Sequence, residues 1–205
     1  MLDSIFQKYD CDKSSKGHHY YLEYEKFLEP QREEKLNILE IGIFKGTSMA
    51  AFHDYLPNAE IYGIDVFTRV PPENIEALTR DRIHWMKADS TSFSLTGKIE
   101  KQWPDVKFDM IIDDGLHFPE ANQKTFDNLI HLLKDDGVFY VEDAWPLDIM
   151  TMKELKHQWI LKHQDEYNIF KMTKFLTSVE KYNVERVDLR KKSGKPDSYI
   201  FKVTK

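Results

Sequence analysis

Five short apolar runs recur along the middle of the chain, at Asn37–Ile43, Ala59–Asp65, Ile83–Asp89, Phe108–Asp114 and Gly137–Asp143. Each is too short for a stable helix and rich in branched or aromatic residues, so each reads as a strand. The segments between them carry helix signals. Thr47 or Ser48 is placed to cap a helix running to about Tyr55. Pro71 and Pro72 open one to about Arg80, because proline suits a first turn. Residues 92–103 read as a short helix or a loop. Pro119–Lys134 reads as a long helix with Phe126, Leu129, Ile130 and Leu133 on one face. Strands that alternate with helices at this spacing leave few folds open. The simplest is a parallel sheet with helices on both faces.

The flanks complete that outline. Residues 150–181 read as helical, in one or two pieces, and residues 20–28 as a short helix after a loop at 11–19. Val184–Leu189 and Tyr199–Val203, joined by a loop through Lys191, Lys192 and Lys195, read as a closing antiparallel hairpin. The expected architecture is α/β: a doubly wound, mostly parallel seven-stranded sheet with an antiparallel C-terminal hairpin. Residues 1–205 form one domain, with 31–205 as its core and 1–30 as an N-terminal cap or lid.

Composition narrows the function. The chain has 29 basic and 35 acidic residues, for a net charge of -6. A general nucleic-acid binder needs a basic footprint, so no nucleic-acid partner is expected. No stretch is long and apolar enough to span a membrane, and the first ten residues carry charges where a signal peptide needs apolar ones. A cytoplasmic location is the expectation. Cys11 is the lone cysteine, so no intrachain disulfide forms. Oligomeric state is left open; a homo-oligomer is compatible with the sequence.

In open α/β sheets ligands bind outside the carboxyl ends of the strands, and the chemistry-bearing residues fall there. Glu40, Gly42 and Gly46 lie at the first strand-to-helix turn, where glycine lets backbone approach a ligand. Phe44 stands where a dinucleotide fingerprint has its second glycine, which disfavours a nicotinamide oxidoreductase. Asp65 ends the second strand, placed to accept from a ribose diol, and Asp89 with Ser90 ends the third. The fourth run ends in Asp113, Asp114 and, after Gly115, His117. The fifth ends in Glu142 and Asp143. Carboxylates crowded at one mouth repel each other, and a hard divalent cation with oxygen ligands relieves that repulsion.

Together these motifs resemble those of class I S-adenosylmethionine-dependent methyltransferases, over roughly residues 37–143. The resemblance implies a Rossmann-like fold and a bound S-adenosylmethionine. Residues around Gly42 would approach its methionine moiety, Asp65 the ribose, and Asp89 with Ser90 the adenine; Asp113, whose neighbour points the other way along the strand, reads as structural or adjacent to the cofactor. A narrower likeness rests on the stretch Tyr9–Lys13, on His18, Tyr20 and Tyr24, and on the ends of the fourth and fifth runs. These are similar to the metal-dependent sugar O-methyltransferases of macrolide antibiotic pathways; relatives act on other glycosides and polysaccharides. By that resemblance Asp114, Glu142 and Asp143 bind magnesium and His117 is the base. The acceptor is a small molecule or glycoside hydroxyl. Residues 9–28 read either as a lid from which Lys13, His18, Tyr20 and Tyr24 face substrate or as a helix packed on the core edge through its aromatics, and Trp145 either as stacking on a sugar or as a partly buried core residue. A metal-independent small-molecule O-methyltransferase using His117, and a non-catalytic S-adenosylmethionine-binding domain, are the alternatives.

Overall fold

The structure, a computed structural model, describes all of residues 1–205. Its elements in chain order are α1 (Leu2–Lys8), α2 (Tyr21–Leu28), β1 (Asn37–Ile41), α3 (Thr47–Tyr55), β2 (Glu60–Asp65), β3 (Ile83–Lys87), α4 (Leu95–Gln102), β4 (Phe108–Asp113), α5 (Pro119–Leu129), β5 (Leu133–Val141), α6 (Gln158–Lys162), α7 (Ile169–Val179), β6 (Asn183–Asp188), α8 (Arg190–Ser193) and β7 (Tyr199–Thr204). The strands form one seven-stranded sheet in the order β3-β2-β1-β4-β5-β7-β6. β1 to β5 run parallel, and β7 lies antiparallel to both β5 and β6. The seven-stranded expectation therefore holds, antiparallel edge included. The order reverses between β1 and β4, and that switch point is where the site lies.

Alternation along the strands divides the core in two. Ile38, Ile61, Met110, Ile112 and Tyr140 face α1, α2 and α3, where they meet Phe6, Tyr24 and Phe52. Leu39, Ile41, Ile64, Ile111 and Phe139 face α4, α5 and α7, where they meet Ile99, Phe126 and Phe175. Helix α1, for which the sequence reading made no provision, anchors the N-terminal segment. Phe6 packs edge-on against Phe52 at 5.4 Å between ring centroids, and Tyr24 against Tyr140 at 5.0 Å. Each buried aromatic contributes roughly 1.5–3 kcal/mol, so residues 1–28 are packed into this core.

Three local expectations are corrected. The segment after Pro71 is no α-helix but two 3-10 turns, Pro72–Asn74 and Glu76–Thr79, because Ile75 between them is extended at φ -111°. The helix from Pro119 stops at Leu129, and β5 begins at Leu133, whose side chain is buried beside β4. Neither Thr47 nor Ser48 caps α3. The cap position is Gly46, left-handed at φ 70°, and the Ser48 hydroxyl instead donates to Glu40 Oε2 at 2.5 Å.

Candidate functional site

Two depressions flank the carboxyl end of β4. The first is a cleft across the ends of β1, β2 and β3, floored by Ile41, Ile64 and Ala88 and rimmed by Asp65, Asp89 and Ser90, with Gly42 and Gly115 at one end. The Asp65 carboxylate accepts from the backbone N–H groups of Phe44 at 3.0 Å and Phe67 at 2.5 Å. Both of those residues have left-handed backbone, at φ 48° and 54°, a cost that non-glycine residues bear where neighbours over-determine them. Asp65 thus organises two loops and keeps lone pairs toward the cleft. Asp89 Oδ1 accepts from the Thr91 N–H and hydroxyl, at 2.9 and 2.8 Å. An apolar slot with carboxylate acceptors on its rim fits an adenosine-like ligand.

Gly42 joins the cleft to the rest of the site. Its φ is 93°, and a Cβ there would sit 2.1 Å from the Asp114 carbonyl oxygen. Gly42→Ala is therefore expected to lower stability by about 2 kcal/mol, from strain and a forced shift of the β4 end. The measurement is the urea midpoint of the variant against the parent. Three residues expected at the cofactor sit elsewhere. Glu40 is fully buried beneath the cleft. A Cβ on Gly46 would meet Ile75 and Ala77, so its small size serves packing. Asp113 is buried, accepting from Asn122 Nδ2 at 2.9 Å and from the Gly115 N–H at 3.3 Å, and it holds the β4–α5 turn. Burial pushes its carboxyl up to about 6.

The second depression is the acidic mouth, and Lys13 lies at its base. Its side chain is 2% exposed and its Nζ lies 2.5 Å from both Asp114 Oδ2 and Glu142 Oε2, with Glu40 Oε1 at 3.7 Å. Burial opposes the ammonium charge, but Asp114, Glu142 and Glu40 outweigh it and keep Lys13 protonated well above the ordinary lysine value. On the acidic side burial prevails against the pull of Lys13: Glu40 is pushed up to about 7 and Glu142 to about 8. One oxygen of each, Glu40 Oε1 and Glu142 Oε1, is buried without a hydrogen-bond partner. Lys13 was expected to face substrate; it serves as the counter-charge of this cluster instead.

Asp114, His117 and Asp143 form the open side of the mouth. Each offers one ligand atom, and these atoms lie within 4.8 Å of one another. His117 Nε2 is 3.7 Å from Asp114 Oδ1 and 4.0 Å from Asp143 Oδ2. His117 and Asp143 both adopt left-handed backbone, at φ 59° and 48°, which turns their side chains toward one point. His117 Nδ1 is buried without a hydrogen-bond partner, and Nε2 is the ring nitrogen that faces the two carboxylates. The donor set fits a hard cation through Asp114 and Asp143. Glu142, expected as the third ligand, is fully buried, and one of its carboxylate oxygens meets Lys13 while the other has no partner; it lies outside the group formed by Asp114, His117 and Asp143.

Beyond Asp143 lies a cavity of about 720 Å³ lined by His18, Trp145, His157, Trp159, Lys162, Lys195 and Asp197 among others. Tyr20 and His18 form its boundary with the mouth. The Tyr20 hydroxyl donates to Asp143 Oδ1 at 2.6 Å, and His18 Nδ1 is 3.2 Å from the same oxygen. Burial, then nearby Lys195, push His18 down to about 4. Tyr20 thus holds Asp143 and is itself buried. Tyr24, expected to face substrate, is a core residue with no exposed surface. Trp145 lines the cavity but is 4% exposed, packed at 4.9 Å against His157. The aromatic with free surface is Trp159, 40% exposed and fixed by its Nε1 donating to the Tyr167 hydroxyl at 3.0 Å. Sequence reasoning missed Trp159, which sits in an amphipathic stretch with no motif around it.

Known proteins resemble the chain at both levels. An L-olivosyl-oleandolide 3-O-methyltransferase from Streptomyces antibioticus is 28% identical over 157 residues, 71% of this chain and 38% of the relative. The 8-demethyl-8-(2-methoxy-alpha-L-rhamnosyl)-tetracenomycin-C 3'-O-methyltransferase of Streptomyces olivaceus is 26% identical over 152 residues, 70% of this chain and 37% of the relative. The chain thus spans little more than a third of the length of these curated relatives. Among solved structures, the MycE methyltransferase of the mycinamycin biosynthetic pathway, in complex with Mg and SAH, superposes with a TM-score of 0.70 at 18% identity. It is covered over 54% of its length by 99% of this chain. At that identity the likeness carries the fold alone. No helix of the chain is long and apolar enough to cross a membrane. The match that extends through the cleft and the mouth together is to a methyltransferase domain, over residues 39–144. That span takes in the end of β1, the whole cleft, His117 and Asp143, and on it the chain belongs to the methyltransferase-domain family.

Proposed function

We propose that the chain moves the methyl group of S-adenosylmethionine to a hydroxyl of a sugar or glycoside, assisted by magnesium, with His117 as general base. The observation that carries this reading is the adjacency at the end of β4. Gly115 lines the cleft, while Asp114 before it and His117 after it face the mouth. A donor in the cleft and an acceptor hydroxyl in the mouth are thereby brought to opposite sides of one short turn. Holding two reactants in line is a large share of catalysis in a transfer of this kind. The sugar-modifying relatives named above support the acceptor class.

The roles divide as follows. Asp65 accepts from the ribose hydroxyls, and Asp89 with Ser90 borders the adenine. Asp114 and Asp143 would hold magnesium, which when bound supplies a Lewis acid that lowers a hydroxyl's pKa. His117 Nε2, the ring nitrogen that faces the mouth, takes the hydroxyl proton. Tyr20 and His18 keep Asp143 aimed at the mouth.

Calorimetry with S-adenosylmethionine and S-adenosylhomocysteine, followed by transfer of labelled methyl to a panel of glycosides, tests the reading. Binding of both, and transfer that a chelator abolishes and magnesium restores, is the expected result. No binding of either nucleoside would sink it. A second reading is favoured by Lys13, whose ammonium already engages Asp114 and Glu142. In that reading the site works without metal, and methyl transfer survives chelation.

A further inference from the structure

The cavity beyond Asp143 is lined by groups of both charges. Its near end is acidic, since His18 bridges toward Asp143 and Asp197 Oδ1 lies 3.9 Å from His18 Nδ1. Its lining also carries Lys162, at the end of α6, and Lys195, from the segment between α8 and β7 and close to His18. Neither ammonium forms an ion pair or a hydrogen bond with the protein; Lys162 Nζ lies 5.7 Å from the centroid of the Trp159 ring, and Lys195 bonds only through its backbone, the N–H donating to Ser193 Oγ and the carbonyl accepting from the Ser198 N–H. The chain carries more acidic than basic residues, and its lysines at positions 8, 13, 26, 124, 134, 171, 202 and 205 are paired with carboxylates. Two cations without a carboxylate partner thus share one cavity with an exposed indole. The volume of about 720 Å³ is that of a site for a ligand larger than a single small group.

We propose that this cavity selects an acceptor sugar bearing an anionic substituent, a carboxylate or a phosphate. The sugar ring lies against Trp159, the anion meets Lys162 and Lys195, and the acceptor hydroxyl points back past His18 to the acidic mouth. An exposed indole face gives apolar contact to a pyranose, and a charge-assisted pair with lysine fixes which end enters first. The carboxylates of the mouth repel the anion, so the hydroxyl end of the ligand is the one that turns toward them. The hydroxyl's destination rests on the methyl-transfer reading above; the anion site itself does not.

Quenching of tryptophan fluorescence by three probes separates the possibilities: methyl glucuronide, glucose 1-phosphate and methyl glucoside. The expected result is binding of the two charged probes, weakened by salt, with the neutral probe at least about tenfold weaker. The relative strength of the two charged probes tells carboxylate from phosphate. Lys162→Gln with Lys195→Gln should weaken the charged probes about tenfold or more and leave the neutral one unchanged. Unfolding midpoints of the variant against the parent confirm that the fold is intact, and single variants serve if the pair is unstable. Equal binding of charged and neutral probes, no binding of any, or insensitivity to the lysine changes would each overturn the inference. If the probes bind as expected but no methyl is transferred to any glycoside, the anion site stands and the methyl-transfer reading fails. If neutral glycosides are methylated and the lysine variants are unaffected, the reverse holds.

Discussion

Lys13→Met is expected to cost the fold about 3–5 kcal/mol near neutral pH, the range found when one partner of a buried ion pair is removed. Methionine keeps the length of the side chain and removes its charge. What remains is a buried set of carboxylates, Glu40, Asp114 and Glu142, with no cation against them. Urea denaturation of parent and variant reads the loss directly. Its pH dependence follows from the acids. Burial raises Glu40 to about 7 and Glu142 to about 8, above their ordinary 4.5. The folded chain therefore holds protons that the unfolded chain has released. The stability contributed by those protons is complete below about pH 4.5 and is lost as pH rises through 7 and 8. The Lys13→Met penalty is accordingly larger at pH 8 than at pH 5, where protonation has removed part of the stranded charge. Magnesium should recover part of it, because a cation that binds only the folded state adds stability by mass action. A loss below about 1 kcal/mol, within the range of an exposed pair, would show that Lys13 is not the counter-charge of this cluster.

That residue also marks where reading the sequence stopped. The strand runs were legible because length, branching and alternation are local properties, and with them came the strand ends that carry the site. The closing hairpin was legible for the same reason. The helix after Pro71 was misread because proline satisfies the first turn of a 3-10 helix as readily as that of an α-helix, and nothing local announces the extended Ile75. Lys13 stands 101 residues from Asp114 and 129 from Glu142. No spacing rule reaches across such separations. Its motif placed it near the mouth but could not tell whether it faced ligand or carboxylate. Tyr20 and Tyr24 teach the same lesson on one helix. Tyr20 reaches Asp143, while Tyr24 turns into the core beside Tyr140, and only the docking of α2 distinguishes them.

The acidic mouth itself supplies the other large expected effect. His117→Ala should lower methyl transfer about 10²–10⁴-fold, the usual share of a positioned general base, and Asp114→Asn about 10²–10³-fold by loss of an electrostatic partner. S-adenosylhomocysteine affinity should change little in either variant, because the cleft is lined by Gly42, Asp65, Asp89 and Ser90 rather than by these side chains. Asp143→Asn should behave as Asp114→Asn does, since both carboxylates turn a free oxygen toward His117. Glu142→Gln is the discriminating variant. If magnesium is held by Asp114 and Asp143 while Lys13 keeps Glu142, the glutamine variant loses far less activity than Asp114→Asn and keeps its response to magnesium. If all three acids hold the ion, the three variants fall together and each loses that response. The second outcome requires Lys13 to release Glu142 when the cation enters. Calorimetry of magnesium binding to the Lys13→Met variant then separates the two arrangements, because an ammonium that must be displaced weakens metal binding in the parent and not in the variant.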